Sequence, residues 1–120
     1  MNIRNDITIL LWTNMRSEVW IALVGVVPKN GNALLDEKVG GAYVNVLAYA
    51  SGLEDFQERV KLELDRRDFQ IIEIENPEPF RLRVKHYEVA KEIKVIARHV
   101  ERDKDIQFAT FHTFPLEGAN

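Results

Sequence analysis

Apolar positions along the chain follow two periods. Short stretches rich in β-branched and aromatic residues occupy 7–12, 19–27, 43–50, 69–75 and 106–114, whereas 53–64 and 89–100 repeat apolar residues every three to four positions. The first pattern predicts strands and the second amphipathic helices. Ile7 to Trp12 and Val19 to Val27, separated by the polar Asn14-Met15-Arg16-Ser17, read as a hairpin, although 7–12 could instead form a helical turn. Pro28 closes the second run, and Lys29-Asn30-Gly31-Asn32 begins a long connection to Gly40-Gly41 that carries Leu34 and Leu35.

The 43–50 run is apolar on both parities and predicts a central strand. Ser51-Gly52-Leu53-Glu54 then has the form of a capping box, so a helix is expected to begin there with Leu53, Phe56, Val60 and Leu64 inward. The strand at 69–75 is expected to stop at Asn76-Pro77-Glu78-Pro79 because proline donates no amide. Strand, helix and strand this close together predict a parallel pair with a right-handed crossover. A second helix is expected from Tyr87 to Arg102, with Val89, Ile93, Ile96 and Val100 on one face. Between them, 80–84 alternates like an edge strand or an extended lead-in, and 106–114 is read as one last strand.

These elements predict one α+β domain over 1–120, built as a four- to five-stranded mixed sheet with two helices packed on one face. The order is ββαβαβ, ferredoxin-like in general character. Such a layout leaves one sheet face bare, although Trp20 with Ile21 and Phe108 with Phe111 place bulky groups on both faces. The 29–41 connection, the first strand or a second copy of the chain would have to cover it, and a homodimer is the expectation.

Composition narrows the function classes. The 120 residues carry a net charge of −3 and no run of Lys and Arg, which argues against nucleic acid as a partner. The chain has no cysteine, so a thiolate nucleophile, a disulfide framework and cysteine-ligated metals are excluded. The 7–12 stretch is too short for a secretory signal, and 19–27 is about half a membrane span, so a cytoplasmic protein with no membrane contact is expected.

Candidate chemistry is sparse. His112 stands near the end of the last strand as an acid–base candidate without a nucleophile motif, and a half-buried strand histidine is the simpler reading. His86 and His99 lack the local spacing of metal ligands, while Glu73, Glu75 and Glu78 read as a solvated edge rather than a cation loop. Gly25, Gly40, Gly41 and Gly52 form neither a dinucleotide fingerprint nor a phosphate loop, and no cofactor is implied. Tyr43, Asn45 and Tyr49 share one parity of the central strand and, with His112, are the candidate ligand-binding residues. The same side chains would serve equally in packing. Trp12, Trp20, Leu34, Leu35 and Phe111 are the candidate interaction residues.

Gly41-Ala42-Tyr43-Val44-Asn45-Val46, followed by an acidic amphipathic helix and a hydrophobic strand, resembles a segment of small uncharacterised bacterial α+β proteins. The resemblance covers about a third of the chain and implies no active-site residue. In size, acidity and lack of cysteine the chain is also similar to immunity proteins that neutralise bacterial toxins. The leading expectation is therefore a non-catalytic protein-interaction module of inhibitor or immunity type. The alternatives are a small-ligand-binding domain, with the 29–41 connection as a lid, and a small enzyme using His112 with Glu73 or Glu75.

Overall fold

The computed structural model describes residues 17–29 and 39–115. Their hydrogen bonding joins β1 (Glu18–Pro28), β2 (Val39–Ala50), β3 (Phe69–Pro79), β4 (Ile106–Phe108) and β5 (His112–Pro115) into one sheet. All pairings are antiparallel, in the order β3-β1-β2-β4, with β5 also on β2. The helices among the described residues are α1 (Leu53–Arg66), α2 (Phe80–His86) and α3 (Lys91–Asp103). The α+β class stands as expected. Within it, the sheet is antiparallel rather than mixed, and the ββαβαβ layout does not appear.

The reason lies in β1. It pairs with β2 from Glu18 to Val26 and with β3 from Trp20 to Pro28, so both of its edges are occupied. The expected hairpin with 7–12 lies outside the described residues. β2 and β3 point the same way but are not neighbours, because β1 stands between them. The expected parallel pair is thus a split unit, with the chain passing through α1 from one side of β1 to the other.

The helices lie on opposite faces of this sheet, which corrects the expectation of two helices on one face. Side chains alternate along a strand, so each parity of β1 and β2 builds its own core. The even positions Ala22, Val24, Val26, Val44, Val46 and Ala48 are fully buried with Phe56, Val60 and Leu64 of α1. On the odd face, Val19, Ile21 and Leu47 pack against Ile93, Ala97 and Val100 of α3. The apolar stripe of α1 begins at Phe56, since Leu53 is left exposed.

Five local departures separate the structure from these expectations. At the start of α1, Gly52 occupies the cap and Ser51 receives no first-turn amide. Instead the Ser51 amide and hydroxyl both donate to the Asp55 carboxylate, at 2.9 and 3.2 Å, so the box runs one residue later than expected from Glu54. β3 continues to Pro79 because it is an edge strand, where proline is tolerated, and its register shifts twice against β1. Residues 80–86 are helical rather than extended. Their alternation is short, Arg, Leu and Lys favour helix, and Arg81 and Arg83 bond to Glu18 and Glu78. The expected last strand divides into β4 and β5, since the register on β2 slips by one residue between Val46↔Phe108 and Tyr43↔His112. α3 starts at Lys91, leaving Tyr87 outside it.

Candidate functional groove

The described residues cover the odd face only in part. α3 closes the end that carries Val19, Ile21 and Leu47. Beyond it, successive cross-strand rows of side chains come to the surface. One row runs Glu75, Leu23, Asn45 across β3, β1 and β2, and the next runs Glu73, Gly25, Tyr43, His112 as far as β5.

Gly25 organises the second row. A methyl group there would stand 2.9 Å from Tyr43 Cε1 and 3.0 Å from Ile72 Cγ1, so the tyrosine ring lies over the glycine where another residue would put a side chain. The Tyr43 hydroxyl thereby crosses β1 and donates to Glu73 Oε1 at 2.7 Å. That hydrogen bond raises the phenol pKa above its ordinary value, with smaller contributions from partial burial and the charges of Glu73 and Glu75. Phe114 packs beside Tyr43, with ring centroids 5.6 Å apart.

The first row forms part of the floor of an open groove of about 780 Å³. Ile21 and Leu23 supply its apolar base and Asn45 its amide. Asn76 to Glu78 make one wall, and the segment from Arg83 through the α2–α3 connection to Ile93 makes the other. Arg83 bridges the walls by pairing with Glu78 and donating to the Asn76 carbonyl at 2.9 Å. Asn76 itself adopts a left-handed φ of 50° at the bend of β3. Among the described residues, Glu75 and the Asn45 side chain make no hydrogen bond or ion pair.

The four candidate ligand-binding residues therefore separate. Asn45 lines the groove, whereas Tyr43 lies one row away with its hydroxyl engaged. Tyr49 lies beside the α3 core, with the Lys104 ammonium 4.4 Å from its ring centroid. His112 is exposed on β5 and makes no hydrogen bond or ion pair among the described residues. Of the candidate interaction residues, Trp20 stacks on Phe56 at 6.0 Å and Phe111 on Phe69 at 5.6 Å, both against the first core. Trp12, Leu34 and Leu35 lie outside the described residues.

Arg83, Tyr87, Glu88 and Val89 were not singled out for the groove by sequence reasoning, because an extended reading of 80–84 hides the turn that brings 86–90 over the sheet. The three β3 carboxylates do not gather as a unit: Glu73 holds Tyr43, Glu78 holds Arg83 and Glu75 faces the groove. No group of three or more His, Asp or Glu side chains among the described residues is arranged to hold a metal ion. No helix among them is long and apolar enough to cross a membrane. Comparison with protein-family models, with curated proteins and with solved structures finds no match.

Proposed function

We propose that this protein is a non-catalytic protein-interaction module whose partner docks in the groove between β3 and the α2–α3 connection. The observation that carries the reading is the groove itself: an open channel with an apolar floor, a polar wall and the 65% exposed Tyr87 at its rim. Interfaces are built in this way, with an aromatic anchor beside an apolar centre and polar groups around it. An inhibitor or immunity-type role in the cytoplasm fits the net charge of −3, since acidic proteins of this size suit basic partners.

The test is affinity capture from the source cell with three baits: wild type, Tyr87→Ala, and Leu62→Ala on the exposed face of α1. A stoichiometric partner retained by wild type and Leu62→Ala but lost by Tyr87→Ala supports the reading. Recovery of the chain alone, or only with itself, counts against it, and in the latter case sedimentation would identify a homodimer.

A small-ligand site is the second reading. It is favoured by the groove volume, which falls within the range of small-molecule pockets, and by the unengaged Asn45 amide on its floor. A metabolite that raised the melting temperature of wild type but not of Asn45→Leu would support it.

A further inference from the structure

We propose that the groove recognises a lysine or arginine side chain in an extended segment of the partner, seated between Glu75 and Asn45; this rests on the interaction reading above. The argument begins with charges that are already neutralised. Arg83, the one arginine among the described residues lining the groove, is paired with Glu78 and tied to the Asn76 carbonyl. Glu73, one row away, accepts from Tyr43. Glu75 is left half-buried on the floor without a partner among the described residues, and Glu88 adds an exposed carboxylate to the opposite wall.

An anionic occupant would meet this field uncompensated. A neutral one would strip water from Glu75 and replace it with nothing, which is costly for a charged group. A cation offsets both penalties. The row geometry selects a long one. Glu75 and Asn45 flank Leu23 on either side, so their backbones stand roughly 10 Å apart, two strand spacings. A lysine or arginine stem can lie along Leu23 while its head donates to the carboxylate, and the Asn45 carbonyl oxygen can accept from the adjoining backbone or guanidinium. Half-buried Val89 extends the apolar surface toward α3, where Ile21 and Ile93 lie just beneath in the core, which suits an apolar neighbour in the same segment.

The test is fluorescence anisotropy with a labelled Leu-Lys-Leu-Lys-Leu peptide, its lysine-acetylated form and its Leu-Glu-Leu-Glu-Leu counterpart. The proteins are wild type, Glu75→Gln, Tyr87→Ala and, as control, Glu54→Gln on exposed α1. The basic peptide should bind wild type and Glu54→Gln alike, and weaken at least about fivefold on acetylation, in Glu75→Gln, or with added salt. Equal binding of the acetylated or acidic peptide, or no change in Glu75→Gln, overturns the charge assignment. If Tyr87→Ala still weakens that binding, the interaction reading stands without it. Binding of none of the three peptides overturns the proposed segment, leaving the capture experiment to judge the interaction reading separately. Displacement by putrescine at concentrations as low as those of the peptide would assign the groove to small amines instead.

Discussion

Gly41 and Gly25 both lie on the odd sheet face under an aromatic ring, and the same substitution at each should have different consequences. At Gly41 an added Cβ would stand 2.5 Å from Phe114 Cζ and closer still to the Val26 carbonyl oxygen. Real Cβ atoms essentially never come within 3.0 Å of such neighbours, and a carbonyl in the β1–β2 ladder cannot swing aside. At Gly25 the nearest atoms are side-chain carbons of Tyr43, Ile72 and Glu73, at 2.9, 3.0 and 3.3 Å, and Ile72 is 48% exposed. Those groups can move.

Overpacking a rigid site costs about 1–3 kcal/mol, and replacing glycine returns about 0.4–1 kcal/mol through the unfolded chain. Gly41→Ala should therefore destabilise by about 2 kcal/mol, because the strands themselves must part, while Gly25→Ala should stay within about 1 kcal/mol of wild type. With a slope near 1–2 kcal/mol/M, the urea midpoint of Gly41→Ala should fall by roughly 1–2 M. The double variant Gly41→Ala/Phe114→Ala separates the two obstacles. It should recover none of the loss, since the Val26 carbonyl remains. Restored stability in the double variant, or equal midpoints for Gly25→Ala and Gly41→Ala, would refute the reasoning.

Three further outcomes are expected. Phe56→Ala removes the central ring of the α1 core and its stacking on Trp20, so calorimetry should show a loss of about 3–5 kcal/mol together with a changed Trp20 near-ultraviolet signal. Partial burial pushes the Asp55 carboxyl up, but bonds from the Ser51 amide, Arg59 and the Ser51 hydroxyl outweigh it and hold the pKa below its ordinary value. That stabilisation is present above the unfolded value of about 4 and is lost as pH falls through the lower folded value; denaturation curves for wild type and Asp55→Asn should differ by about 1 kcal/mol at pH 6 and draw together as the carboxyl protonates in the folded state. The Tyr43 phenol is raised, so its contribution is present below about pH 10 and disappears as pH rises through the folded value. In an ultraviolet titration one of the three tyrosines should ionise late in wild type and earlier in Glu73→Gln, with burial and Glu75 still holding it above the ordinary value.

Much of the fold was legible because it rests on local periodicity. The strands expected at 19–27 and 43–50, the helix expected after Ser51 and the inward Phe56, Val60 and Leu64 follow from spacing alone, whereas β2 begins at Val39, inside what reads as the connection, because pairing with β5 extends it. The α2 segment was misread because five alternating residues fit a strand and a helical turn equally well; the Arg81–Glu18 and Arg83–Glu78 pairs, 63 and 5 positions apart, and the packing of Phe80 on the second core add to local helix propensity in favouring the helix. Asn45 was legible as a groove residue from the parity of β2. Arg83 and Tyr87 were not, since their place depends on which way α2 turns the chain.

The sequence by itself determined an α+β domain with a central apolar strand at 43–50, an amphipathic helix behind it and no cysteine chemistry. These depend on residue type and on spacing over a few positions. Tertiary structure alone decided that β1 enters between β2 and β3 and that the helices take opposite faces. It also put Glu73 under Tyr43 and Glu78 beside Arg83, leaving Glu75 in the groove. The physical reason is that strand order and partner choice are settled by contacts between distant segments, here one strand bonded on both edges, and a one-dimensional pattern of hydrophobicity carries no record of which edge is filled.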